Sequence, residues 1–288
     1  MSNQTESAIL LIHCPNTQGV VAAVSKFIFD YNGNILELDQ HVDPRENHFF
    51  MRVRWDIKQF EIPKDEIVDA FANKVGIHFG MKWRFYFKAA KSKMVIFVSK
   101  FSHCLYDILQ RYKSNEWNVE IPLIISNHPN LSYIAEQFDI PYHVFSITKE
   151  NKEDQEAKEL ELLEKHKPDF IVLARYMQVL TQNFIDHYPS KIINIHHSSL
   201  PAFPGAKPYH SAHKRGVKII GATSHYVTED LDAGPIISQD ITRVTHKDSV
   251  KDMIRKGKDL EKTVLSQAIW LQLQHKILPY KNKSMVFY

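Results

Sequence analysis

Asn194 and His196 stand two apart near the end of the apolar run "IINIHH", residues 192–197. On an extended backbone that spacing puts both side chains on one face. The amide offers N–H donors and the imidazole a titratable ring; together they could hold a carbonyl oxygen as it becomes an oxyanion. Hydrolysis or acyl transfer also needs a base or a water-orienting carboxylate. The stretch "HYVTEDLDAGPII", residues 225–237, offers Glu229, Asp230 and Asp232, with Gly234-Pro235 fixing a loop that could carry one of them to the strand end. A carboxylate there would favour the protonated, oxyanion-binding form of His196. Spacing alone does not choose among the three. Each piece also has an ordinary reading, Asn-x-His as a turn or cap and Asp232 before Ala-Gly-Pro as a turn residue.

The elements that position these residues can be read from the patterning around them. The runs "MVIFVS", "IPLIIS", "YHVFS", "DFIVLA" and "IINIHH" alternate with helix-like segments starting near residues 102, 129, 151 and 181. That alternation predicts an α/β domain with a doubly wound, mostly parallel sheet. In such a sheet ligands bind beyond the carboxyl ends of the strands, where Asn194 and His196 fall. "IIGATSHYVT" and "PIISQDITRVT" read as two further strands, followed by a long helix from about residue 248 to 275. Ahead of the polar break "AAKSK" at residues 89–93, "AILLIHC", "VVAAVSKFIFDY", "GNILELDQHVD", "HFFMRVRW", a helix over roughly 63–78 and "MKWRFYFK" give a ferredoxin-like βαββαβ order. The predicted domains are residues 1–90 and 91–288, in keeping with the 288-residue length.

The net charge of +3, with no long Lys/Arg run, gives no electrostatic case for a nucleic-acid partner. Cys14 and Cys104 lie far apart in the sequence and make neither a disulfide framework nor, by themselves, a thiolate metal site, which suits a reducing cytoplasm. The first residues carry no basic leader, and no apolar run approaches the roughly 18 to 20 residues needed to span a bilayer. The expectation is a soluble, unprocessed chain with no membrane partner.

"NIHHSSLPAFPGA" followed by "HYVTEDLDAGPII" resembles the catalytic region of the folate-dependent formyltransferases, the group that includes glycinamide ribonucleotide transformylase; the resemblance covers roughly residues 93–275. It implies that Asn194 and His196 contact the formyl group, that Asp232 pairs with the histidine and orders water, and that His225 sits close behind them. The family binds its pterin largely through backbone groups of the loop after a central strand, which puts Met177, Gln178, Val179 and Leu180 of "VLARYMQVL" at the folate site; without the resemblance Met177, Val179 and Leu180 would read as core. The ribotide-using members open this domain with a glycine-rich loop whose amides cradle the acceptor's phosphate. Here the matching stretch, "MVIFVSKFSHCLYDIL", has no glycine, and Lys100, Phe101 and His103 obstruct a cradle.

A site that handles the formyl group but lacks that loop most economically transfers it to water. The chain accordingly resembles the formyltetrahydrofolate deformylases, whose members carry "VSK..HCL", "LARYMQ" and "GATSHYVT"-like stretches and a small N-terminal domain. The resemblance implies hydrolysis of 10-formyltetrahydrofolate to formate and tetrahydrofolate, balancing the one-carbon folate pool for purine biosynthesis, with no cofactor beyond the folate substrate and no metal. The first βαββαβ unit resembles an ACT domain, which implies a homo-oligomer and an amino-acid effector; Asn16 stands where an aspartate is common and can still cap the following helix. Whether His196 or Asp232 takes the first proton is left open.

Other readings compete. A formyltransferase with a non-phosphorylated amine acceptor would keep the same formyl-handling residues. A metal-dependent hydrolase could draw on His196, His197, His210, His213 and His225, with His210 and His213 spaced to face one ion from a helix. A non-catalytic folate or amino-acid binder would not need Asn194, His196 and Asp232 together. Cys104 reads as a packed thiol rather than a nucleophile, and Lys207 and Arg215 as surface charge or as contacts to the folate's glutamate tail.

Overall fold

The computed structural model describes residues 6–87, 91–201 and 208–288. The Phe-Pro-Gly turn at 203–205 and Lys207 lie outside the described residues. Contacts divide the chain into two compact units, Met1–Ala90 with His275–Leu278 and Met285–Tyr288, and Lys91–Gln274 with Pro279–Ser284.

The first unit runs β1 (Ser7–Pro15), α1 (Val20–Asp30), β2 (Asn34–Asp43), β3 (His48–Asp56), α2 (Ile67–Phe71) and β4 (Lys82–Phe87). Its strands form an antiparallel sheet in the order β2-β3-β1-β4, the ferredoxin-like arrangement that the pattern predicts. Leu10, Ile12, Met51, Val53 and Trp55 point from the sheet onto Val24, Phe27 and Ile28 of α1 and Phe71 of α2. The second helix is shorter than the predicted 63–78, because α2 passes into a π-helical turn over Ala72–Gly76. A Cβ at Gly76 would stand 2.6 Å from the Trp83 ring, so only glycine fits this approach. Asn16 does not cap α1. The N-cap is Gly19 at φ 94, while the Asn16 side chain donates to Asn47 Oδ1 at 3.2 Å; two residues separate Asn16 from the cap, and its amide is spent on closing the β1–β3 end.

The second unit runs β5 (Ser92–Val98), α3 (His103–Lys113), β6 (Val119–Glu120), β7 (Ile124–Ser126), α4 (Ser132–Gln137), β8 (Tyr142–Val144), α5 (Lys152–His166), β9 (Phe170–Leu173), α6 (Gln182–His187), β10 (Ile192–His196), α7 (Pro208–Arg215), β11 (Ile219–Tyr226), β12 (Ile236–Arg243) and α8 (Val250–Leu273), ahead of a ribbon of β13 (Ile277–Tyr280) and β14 (Lys283–Val286). The main sheet has the order β12-β11-β10-β9-β5-β7-β8, with β6 also on β5. From β8 to β10 neighbouring strands are parallel; β11 and β12 add antiparallel edges. The chain leaves β5 toward β7 and β8, then returns to place β9 and β10 on the other side. The reversal falls between β5 and β9, and their carboxyl ends frame the crevice where ligands of such sheets bind. β9 is buried throughout and β5 over its last five residues, as strands covered on both faces must be. α8 begins at a capping box, Ser249 accepting from Asp252 N while the Asp252 carboxylate takes the Ser249 N–H.

Candidate active site

β10 ends at His196, and its antiparallel neighbour β11 sets Asn194 opposite His225. The β11–β12 register slips between Ser224 and His225, a bulge of the kind that re-aims a side chain at a strand end. His225 Nδ1 lies 2.9 Å from the Tyr226 carbonyl and donates to it. Nε2 is then the acceptor and takes an N–H from Asn194 Nδ2 at 3.2 Å. The amide is thereby turned so that its second N–H is available to a ligand.

The loop after β11 carries the carboxylates. A Cβ at Gly234 would lie 1.9 Å from the Tyr226 carbonyl oxygen, so glycine alone permits the chain to fold back there. That return delivers Asp232, at φ 56, to the end of β10. The left-handed conformation costs a non-glycine residue about 1 kcal/mol or more, and Asp tolerates it better than most. Asp232 Oδ2 stands 3.1 Å from His196 Nδ1, and Oδ1 3.6 Å from His225 Nε2. The hydrogen bond from His196 is the largest of the effects that hold the Asp232 carboxyl well below the usual carboxylate range against the opposing effect of burial. Glu229 is exposed at the cavity, and Asp230 uses its carbonyl to accept from Thr228 Oγ1 inside the turn. Of the three carboxylates open at sequence level, Asp232 is the one that meets the histidines.

Asn194, His196, His225 and Asp232 share a cavity of about 280 Å³ with Met177, Gln178, Val179 and Leu180 of the loop after β9. Leu180 is buried, whereas Met177 and Val179 are exposed on the rim, a partly apolar wall suited to a flat ring. The loop is braced from beneath. Met177 N donates to Ser99 Oγ at 3.0 Å, and Ser99 donates in turn to Asn127 Oδ1 at 2.7 Å. Thr181 gives its N–H and hydroxyl to Glu156, and Tyr176 gives its hydroxyl to Glu159 at 3.3 Å. Burial pushes the Glu159 carboxyl up to about 8.

Several residues here had no reading from sequence. Arg175, at φ 64 and 9 % exposed, lines the same cavity. Its Nε lies 3.4 Å from Glu261 Oε2 on α8 and its guanidinium 4.9 Å from the Phe101 ring. Glu261 also meets His103 Nε2 at 2.8 Å and accepts from the Tyr209 hydroxyl at 2.9 Å. A signal was present: Glu261 occupies the apolar stripe Gly257, Leu260, Val264, Leu265 and Ala268 of α8, and Glu156 and Glu159 sit likewise on the stripe of Leu163.

His210 and His213 are exposed on α7, and Arg215 beside them is exposed too. Among the described residues the His, Cys and carboxylate atoms that approach within 4.8 Å as a set of three are those of His103, Cys104 and Glu261. That set fits a cation poorly, since the Arg175 charge already lies against Glu261 and burial raises the Cys104 thiol well above its usual value. Cys104 is a packed, buried thiol.

A strand-end amide and imidazole are met by a loop carboxylate beside the crevice of a doubly wound sheet, and the chain matches the Formyl transferase family over residues 92–269. It is 50% identical over 284 residues to the formyltetrahydrofolate deformylase of Synechocystis sp., with 99% of each chain covered. The crystal structure of a formyltetrahydrofolate deformylase from Pseudomonas syringae superposes with a TM-score of 0.96 at 43% identity, covering 100% of this chain and 96% of that one. Glycinamide ribonucleotide transformylase 1 from Symbiobacterium toebii gives 0.66 at 25% identity, covering 70% of this chain and 97% of that one. The chain belongs to the formyltetrahydrofolate deformylase family.

Proposed function

We propose that the cavity is where this enzyme hydrolyses 10-formyltetrahydrofolate to formate and tetrahydrofolate, with Asn194, His196 and Asp232 as its catalytic residues and His225 positioning Asn194. The pterin lies against Met177–Leu180, and the formyl oxygen enters between Asn194 and His196. The observation that carries this reading is the pairing of His196 Nδ1 with Asp232 Oδ2 at 3.1 Å, which leaves a buried Nε2 with no partner among the described residues. A buried ring nitrogen of this kind calls for a ligand atom.

In the proposed step Asp232, kept ionised chiefly by the hydrogen bond from His196, orients a water against the formyl carbon. As the water oxygen bonds to that carbon, Asn194 Nδ2–H and His196 Nε2–H take up the developing oxyanion. The C–N10 bond then breaks, its electron pair staying on nitrogen; one proton of the attacking water passes to that nitrogen, the other is released to solvent, and formate departs. Loss of one oxyanion donor costs about a hundred- to a thousand-fold in rate. Asn194→Ala and Asp232→Asn are each expected to lower kcat by about that factor or more with the fold intact; near-normal turnover in either would remove that residue from the mechanism.

The first unit is the regulatory part of this reading, an ACT-like domain that takes an amino-acid effector and assembles the chain into a homo-oligomer. Its support is the βαββαβ order with the β2-β3-β1-β4 sheet. Among the described residues no helix is long and apolar enough to cross a membrane, and the protein is proposed to act in the cytoplasm, releasing formate and returning tetrahydrofolate to the pool that serves purine biosynthesis. No metal takes part; turnover is expected to survive exhaustive chelation.

A further inference from the structure

The mechanism above leaves Arg175 without a task, although it is the buried cation of the cavity. It sits two residues past the end of β9, at the crevice where the strand order reverses. Holding a long side chain at φ 64 costs energy that a glycine there would avoid. What the strain secures is a guanidinium in the cavity wall, braced by the Phe101 ring at 4.9 Å.

That guanidinium is neutralised without being satisfied. Glu261 lies 3.4 Å from Nε, yet its oxygens are already engaged at 2.8 Å by His103 and at 2.9 Å by Tyr209. Nε and Nη1 of Arg175 have no hydrogen-bond partner among the described residues. The point charge of a lysine would do as well for holding Glu261; a planar fork with spare donors is the group that suits a carboxylate. His197 beside it adds no charge, because burial and then the nearness of Arg175 bring its pKa down to about 4.

We propose that Arg175 forms a carboxylate subsite in the cavity wall, and that this subsite takes the product formate. The inference rests on the deformylase reading, because that reaction creates a carboxylate where the substrate has a neutral formamide. Before attack the formyl group presents one oxygen, which Asn194 and His196 meet. After the water oxygen has bonded to the carbon and the C–N10 bond has broken, the HCOO⁻ left behind has a second oxygen and a full negative charge. Arg175 supplies the donors for that second oxygen. The same charge repels a protonated amine, so it favours water over an amine as the attacking group.

The test is product inhibition by sodium formate in initial-rate assays of the full-length enzyme on 10-formyltetrahydrofolate, with sodium chloride matching the ionic strength. Formate should inhibit the wild type beyond chloride, and nitrate, a planar anion with the same oxygen spacing, should compete with it. Arg175→Met should raise the formate inhibition constant at least about tenfold, the scale of losing a charge-assisted hydrogen bond, with Arg175→Lys in between. If Arg175→Met fails to fold because Glu261 is left as a buried charge, Arg175→Met combined with Glu261→Gln removes both charges and is expected to give the same loss. Wild-type inhibition no stronger than chloride, or a formate constant unchanged in a folded residue-175 variant, would overturn the proposal. A wild type that releases no formate at all would instead sink the deformylase reading, so the two failures are distinct.

Discussion

In the proposed mechanism His225 need not touch substrate and still sets the chemistry. Its Nδ1–H is committed to the Tyr226 carbonyl and its Nε2 to Asn194, so it fixes which end of the amide faces the cavity. His225→Leu is expected to lower kcat by about tenfold, the lower end of the range seen for groups that orient a functional side chain, with KM little changed; steady-state kinetics read the split. His197 makes a stability prediction. Its pKa falls from 6.5 to about 4 in the fold, chiefly through burial. A base with a depressed pKa contributes stability that is complete above 6.5 and is lost as pH falls from 6.5 toward 4. Melting temperature should therefore drop across that window, and less steeply in His197→Gln. At this scale the pairing of Asn194 and His196 was legible, because they lie on one strand at a spacing of two, whereas Asp232 stood as one of three carboxylates until the family resemblance singled it out. Arg175 was not legible, because Phe101 and Glu261, the groups it meets, come from places far apart in the chain.

The loop after β9 is the element on which the folate reading depends, and its shape is imposed by side chains that the sequence pattern does not link. Ser99 at the end of β5 holds Met177 N, so Ser99→Ala should raise KM for the folate substrate several-fold while altering kcat less. Glu159 should be visible in the pH dependence of stability. Burial raises its carboxyl from 4.5 to about 8, so the fold prefers the protonated form. The corresponding stability is complete below 4.5 and fades as pH rises through about 8. Glu159→Gln, neutral at every pH, should narrow the difference in melting temperature between pH 5 and pH 8. Strands and long helices were legible from period alone. Short elements were less so: β7 covers Ile124–Ser126 rather than 121–126, as Pro122 has no N–H to give a ladder. The segment starting at 129 opens with a 3-10 turn before α4 begins at Ser132.

Across the whole molecule, the last residues of the chain belong with the first. His275–Leu278 and Met285–Tyr288 join the N-terminal unit, where Arg52 Nε donates to the His275 carbonyl at 3.0 Å and the Tyr86 and His275 rings stack at 3.8 Å. Nothing in the sequence around His275 announces this, because its partners Arg52 and Tyr86 lie some two hundred residues away. Arg52 is 4 % exposed and also holds Glu37, so Arg52→Ala should lower the melting temperature and hasten tryptic cleavage at Lys276. The central claim concerns where the formyl group goes. It is tested most directly by incubating the chelator-treated protein with 10-formyltetrahydrofolate in ¹⁸O-labelled water, with no amine acceptor present. The account predicts rapid release of formate carrying one labelled oxygen, lost in Asp232→Asn. Bound folate with no formate released until an amine is supplied would contradict it and make the protein a transferase.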